Sequence, residues 1–282
     1  MWMAASSPTS ASSPSKANAM TDKIAIRLQD ASGSIVSEAL SSSLAVLDIR
    51  YRAYEQGDLF IVDVPGNRDI ELMLDSCLAP SIVRIPGGHM EFPVPFGIAR
   101  EPYGQEAFSG DCHWAYARTL NPKEQKNWRN LALNSYDLEG TSQCFPHAST
   151  NSGATNPRFL ARNAIDGVFQ TCHHGRFPYE SWGVNGRNDA WLRVDFGRMV
   201  YADSLVFFLR ADFPHDTWWK SIRITCSDES EFTAQLNKSG EPQTFKIGPR
   251  PLEWIRLSNL QVGDNTARWP ALSQIMVMGR LI

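Results

Sequence analysis

The sequence predicts an all-β chain of two β-sandwich domains, joined by a short helix and connector. Three observations predict it. Runs of strand length, apolar or alternating, recur along almost the whole chain. Turn signals cut between them, among them Gly57-Asp58, Pro65-Gly66-Asn67 and Pro86-Gly87-Gly88. A chain of 282 residues, 43% hydrophobic and 20% charged, is also long enough for two domains that each bury a core.

Residues 1–21 are dominated by Ser, Ala and Pro, hold no apolar run of signal-peptide or membrane-span length, and read as a disordered leader. Met20 marks either an alternative start or the end of an added extension. From Lys23 to Leu120 the runs IAIRL, SLAVLDIRYRAY, DLFIVDV, IELMLD, SIVRI, MEFPVPF and HWAYAR make residues 22–121 an N-terminal sandwich. Pro122, preceded by Asn121 as a cap, predicts a short helix over 122–130 inside a connector spanning 122–140. Residues 141–282 return to strands, at FLARNAI, AWLRVDF, DSLVFFLR, KSIRITC, EFTAQLN, QTFKI, EWIRLSNL and SQIMVMG. Eight short strands fit two packed antiparallel sheets. Within them, Gly197 is expected to end the AWLRVDF strand, and in NAIDG Ile165 should enter the core while Asp166 and Gly167 turn the chain outward. No internal repeat relates the halves.

Composition excludes several functions. A formal net charge of −3 with no basic run speaks against nucleic acid as a partner. No GxxxxGKS, GxGxxG or GxSxG motif occurs, so phosphate-cradling loops and a nucleophile elbow are missing from the sequence. The five cysteines are widely spaced and form no CxxC pair, which argues against structural zinc. With no export signal or transmembrane segment in sight they read as reduced thiols of a cytoplasmic protein, secretion without a recognisable signal staying open. Cys112 and His113 are no catalytic dyad by adjacency alone, and the Gly- and Pro-rich stretch holding His89 and His113 reads as packed structure.

The ordered segments RNAIDGVFQT, ESWG, AWLRVDFGR, DSLVFFLRADF, IRITCSD, EWIRLSNL and ALSQIMVMG resemble the discoidin family, also called F5/8 type C, which includes many galactose-binding-like carbohydrate-binding modules. The resemblance covers about half of the chain and implies a jelly roll that holds a ligand on loops at one end. Many members keep a structural calcium ion beside the first long loop, and the matching positions here are Asp166, Thr171 and Gln274. Gln274 stands where the family usually has Glu; it can ligate through oxygen, but one negative charge fewer weakens such a site. That Asp166 only caps a turn is the other reading. Some relatives close the domain with a disulfide, but the C-terminal MVMGRLI has no cysteine to join Cys144.

Three loops are rich in polar and aromatic residues. The first supplies His173, His174, Arg176, Tyr179, Asn185 and Arg187; the second Arg210, Asp212, His215, Asp216, Trp218 and Trp219; the third Asn265, Arg268 and Trp269. Such mixtures suit sugars, because an aromatic face covers the ring's C–H face while amides, carboxylates and guanidinium groups take the hydroxyls. Trp182 falls where the family has a core-edge Trp and reads as structural. Trp218 and Trp219 are adjacent, so in an extended stretch one is core and the other exposed.

Together these observations favour a non-catalytic carbohydrate-binding protein, with a glycan as partner, calcium as a structural ion and homo-oligomerisation left open. A rival reading is an intracellular sugar-modifying enzyme drawing acid, base or metal ligands from His173, His174, Asp212, His215 and Asp216, an unspecific spacing that a polar loop network explains better. A third is a protein-interaction module with Phe177 and Phe213 near its loop tips.

Overall fold

The computed structural model describes residues 22–171, 175–211, 217–263 and 269–282. Eight strands build the N-terminal sandwich: β1 (Ile24–Gln29), β2 (Ile35–Ser41), β3 (Leu44–Arg50), β4 (Leu59–Asp63), β5 (Asp69–Met73), β6 (Ser81–Arg84), β7 (His89–Pro93) and β8 (Cys112–Thr119). They form two antiparallel sheets, in the orders β2-β1-β4-β7 and β3-β8-β5-β6. Alternation explains the packing: in β3, Ala45, Leu47 and Ile49 point inward while Leu44, Val46 and Asp48 face out. Ile26, Phe60, Val62 and Phe92 from one sheet meet Leu47, Ile70, Leu72 and Ala115 from the other. The strand β2 was not foreseen, because IVSEALS is half-exposed and Ser-rich and so lacks a clean apolar face.

The predicted helix is α1 (Pro122–Gln125), shorter than the expected 122–130. Asn121 Oδ1 accepts from the backbone N–H groups of Lys123 and Glu124, and Glu124 reaches back to the Asn121 N–H, a reciprocal cap. After it, β9 (Arg129–Asn130) joins the C-terminal sheet by pairing with Met278 and Gly279. Leu131 and Ala132 enter the C-terminal core, whereas Tyr136 and Cys144 enter the N-terminal one, so this stretch serves both.

The C-terminal part contains β10 (His147–Thr150), β11 (Trp182–Gly183), β12 (Leu192–Leu209), β13 (Trp219–Cys226), β14 (Glu231–Gln235), β15 (Gln243–Val262) and β16 (Ala271–Leu281). Two sequence segments expected as separate strands fuse twice: AWLRVDF with DSLVFFL into β12, and QTFKI with EWIRLSNL into β15. The first half of β12 pairs with β10 and the far half of β15, which continues to β13 and β14. Its second half pairs with β16 and the near half of β15. One hydrogen-bonded sheet thus folds over itself into two layers around a shared core of Val194, Phe196, Leu205, Phe207, Ile224, Ile255, Leu257 and Ile275.

Gly197 does not end its strand. It sits at the register break between Asp195 and Val200 with a positive φ of 64°, and a Cβ there would lie 2.4 Å from Phe145 Cγ. The fold-over needs both the left-handed conformation and the missing side chain. FLARNAI is not a strand either: Pro157–Phe159 and Ala161–Ala164 are 3₁₀ turns, the first capped by Asn156. Ile165 is in the core as expected, but Asp166 is buried with it.

Polar contacts join the two cores. Arg198 is buried, with Nη1 3.2 Å from Asp69 Oδ1; Arg84 and Phe145 exchange backbone hydrogen bonds, and Arg158 meets Glu101 at 2.7 Å. Among the described residues, no helix is long and apolar enough to cross a membrane.

Candidate functional site

One concave site lies at an end of the jelly roll. The pairing of Trp182 and Gly183 with Leu272 and Ala271 sets the residues after β11 beside those before β16. Val184 and Asn185 therefore face Trp269 and Pro270, and the segment Gly153–Asn156 with Phe159 closes the third side. The resulting pocket has a volume of about 380 Å³.

Local chemistry holds each wall. Asn185 adopts a φ of 51°, a left-handed conformation that Asn tolerates, and its amide Nδ2 lies 3.4 Å from the Ser152 carbonyl and 3.5 Å from that of Gly153. Gly186 follows with φ 73°, and a Cβ on it would come within 3.3 Å of the Trp269 ring, so the indole lies against a bare backbone. Asn151 ties the same loop to the strand end, accepting from Trp191 N–H at 2.8 Å and donating to Asp189 O at 3.0 Å. Phe159 packs under Gly183. Trp269 remains 56% exposed. None of the described lining side chains is ionisable, so the pocket offers hydroxyl and amide hydrogen bonding, an aromatic face and apolar floor, and no proton donor or acceptor for acid–base chemistry among them.

The residues singled out from the sequence separate into several places. Asn185, from the first loop, and Trp269, from the third, come together in this pocket. Arg176 and Tyr179 instead line a groove of about 490 Å³ between the two sandwiches, with Arg100, Glu101, Arg158 and Glu180. There Arg158 lies over the Tyr179 ring, and burial holds the Glu180 carboxyl above the usual carboxylate range while its Oε2 accepts from the Tyr179 N–H at 2.9 Å. Arg187 is exposed and forms a two-pronged ion pair with Asp189.

Two expected ligand contacts are corrected. Trp219 is 1% exposed and packs on the equally buried Trp182, so the adjacent Trp218 is the half-buried member of the pair, lying against Gly263. Arg210 is fully buried and donates to the Tyr179 carbonyl at 2.6 Å; it braces the fold rather than facing a ligand. His173, His174, Asp212, His215 and Asp216, like Asn265, Arg268 and Phe213, lie outside the described residues. Thr155, Asn156 and Phe159 are pocket residues that sequence reasoning missed; the Asn-Pro step, a capped turn rather than a strand start, was the signal that could have found them.

Of the three positions named for calcium, Asp166 and Gln274 meet at the same turn. Asp166 Oδ1 accepts from the Val168 N–H at 2.9 Å, capping the turn through Gly167, and burial pushes its carboxyl up to about 7. Thr171 is partly exposed. Gln274 is fully buried, and its amide is assigned from its partners: with the nitrogen toward the carbonyl oxygens of Ala164 (3.0 Å), Asn163 (3.2 Å) and Ser273 (3.3 Å) the oxygen can accept from the Gly167 N–H at 2.8 Å, whereas the opposite orientation sets like groups against each other on both sides.

No family model and no curated protein matches the chain. Solved structures do. It is similar to chitosan-binding module 1 of a chitosanase/glucanase from Paenibacillus sp. IK-5, at 19% identity and a TM-score of 0.37 over 54% of this chain and 99% of that one. A family 32 carbohydrate-binding module from C. perfringens NanJ, in complex with galactose, is 18% identical with a TM-score of 0.37, over 46% and 91%. The lectin domain of lectinolysin, complexed with Lewis b antigen, is 17% identical with a TM-score of 0.40, over 53% and 95%. Values this low carry no function from those proteins to this one.

Proposed function

We propose that the C-terminal jelly roll is a non-catalytic carbohydrate-binding module, taking a sugar ring in the pocket between Trp269, Phe159 and the Asn156 and Asn185 amides. The observation that carries this reading is the exposed Trp269 indole forming one wall of a pocket whose other polar side chains, among the described lining residues, are uncharged amides and a hydroxyl. A sugar presents an apolar C–H face and a rim of hydroxyls that both donate and accept; an indole matches the first and an Asn amide, with an oxygen and an NH₂, matches the second. The volume of about 380 Å³ falls in the small-molecule range of roughly 300–1,000 Å³.

A glycan array probed with the full chain, together with thermal unfolding against mono- and oligosaccharides that include galactose, Lewis b and chitosan oligomers, tests the proposal. A ligand that binds only the folded state raises its melting temperature. Binding that is lost in Trp269→Ala supports the pocket; a folded protein silent across the whole array would falsify the reading.

A further inference from the structure

We propose that the Gln274 side-chain amide takes the place of a cation at the junction of the first long loop with the last strand, so that this jelly roll needs no calcium. Three backbone carbonyl oxygens converge on one point: those of Asn163 and Ala164 in the loop and that of Ser273 in β16. Carbonyl dipoles aimed at a common centre repel one another unless something positive stands between them. A hard cation such as calcium is one solution, with oxygen ligands at about 2.3–2.6 Å. The Gln274 NH₂ is another. With the amide oriented by the Gly167 N–H, which needs an acceptor, it lies 3.0–3.3 Å from all three oxygens, within hydrogen-bonding reach of each, and it carries the partial positive charge on the protein itself.

The other half of the amide completes the substitution. Its oxygen accepts from the Gly167 N–H at 2.8 Å, so one side chain satisfies groups on both sides of the turn at Asp166. The remaining groups of that turn have protein partners too: the Asp166 carbonyl accepts from Ser135 Oγ at 2.7 Å and its carboxylate from the Val168 N–H. Asn163, whose carbonyl is part of the cage, donates its own side-chain amide to the Pro157 carbonyl at 2.9 Å. A glutamate in the Gln274 position has the same shape and no N–H. Its carboxylate oxygen would meet the three carbonyls with like charge, a conflict that a bound cation or a proton relieves.

The inference is independent of what the pocket binds. Its test is thermal unfolding of the full chain in chelator and in millimolar calcium or magnesium, for wild type and Gln274→Glu. Wild type is expected to melt at the same temperature in all three. Gln274→Glu is expected to melt lower by roughly 5 °C or more in chelator, and to recover in calcium but not in magnesium, whose smaller shell demands octahedral geometry. A calcium-dependent melting temperature in wild type overturns the proposal, as does a Gln274→Glu chain that is as stable as wild type in chelator or that calcium leaves unrescued. If Gln274→Glu fails to fold without calcium, refolding it in calcium against magnesium reads the same distinction, and the wild-type result stands by itself.

Discussion

Removing the indole of Trp269 is the sharpest probe of the pocket. A Trp side chain brings at most about 250 Å² of surface, and 56% of this residue remains open. That leaves about 140 Å² of reachable surface, of which a sugar ring laid on one face covers about half, roughly 70 Å². At about 25 cal/mol per Å² the face contributes roughly 1.8 kcal/mol, or about twentyfold in Kd. Trp269→Ala should weaken the tightest array ligand by that factor in isothermal titration calorimetry, and Trp269→Phe by less, since a smaller ring still covers part of the C–H face. Stability should change by no more than about 1 kcal/mol, because more than half of the residue is already in solvent. A Trp269→Ala protein that keeps its urea midpoint and binds within about twofold of wild type would refute the assignment of the wall.

Two further substitutions test the scaffold and its charge state. Gly197→Ala places a Cβ 2.4 Å from Phe145 Cγ in a backbone with φ 64°; overpacking and the left-handed penalty together should cost about 3 kcal/mol, read as a lower urea midpoint at unchanged slope, and a loss under about 1 kcal/mol would show that the fold-over tolerates a side chain. His147 feels burial, which lowers its pKa, but the 2.7 Å hydrogen bond to Asp137 and the neighbouring carboxylates of Glu139 and Asp195 outweigh it and hold the imidazole above its usual value of 6.5. A raised folded-state pKa gives stability that is complete below 6.5 and is lost as pH climbs through the raised value. The urea midpoint of wild type should therefore fall relative to that of His147→Gln over this window, and parallel curves would count against a charged His147.

How much of this was legible in the sequence depends on whether local pattern or tertiary pairing decided the outcome. The strands of the N-terminal sandwich follow from alternation alone, as in LAVLDIR, and the α1 cap from Asn121, Pro122 and Glu124. Parity told that Trp218 and Trp219 differ, but which one is buried depends on the register of β13 against β15, where Trp219 faces Val262. Arg210 read as a loop residue because it opens the stretch RADFPHD; inside the fold the carbonyl of Tyr179, distant in sequence, accepts from it. Asn185 and Trp269 were both recognised as loop chemistry, yet their meeting follows from a two-residue pairing, β11 on β16, that no short-range signal announces. The expectation of calcium rested on position, and position alone does not reveal that the carbonyls of Asn163, Ala164 and Ser273 converge on the Gln274 side chain.

The strand β16 links these features, and its order along the chain has a consequence for the pocket. Ala271, at its start, is part of the pocket floor and pairs with Gly183. Gln274, three residues on, gathers the Asn163–Gly167 turn. Met278 and Gly279, near its end, pair with β9 and so dock the connector; a Cβ on Gly279 would lie 2.2 Å from the Tyr201 carbonyl, which makes that approach specific to glycine. A strand paired with β12 along most of its length, and with β11 and β9 near its two ends on the other side, has little freedom to shift by less than a full register step, and each step would turn every side chain to the other face. The pocket floor, the amide at Gln274 and the connector are therefore set together. A site fixed in this way loses little conformational freedom when a ligand enters, and that favours a shallow pocket with one exposed ring over a deeper one that must close.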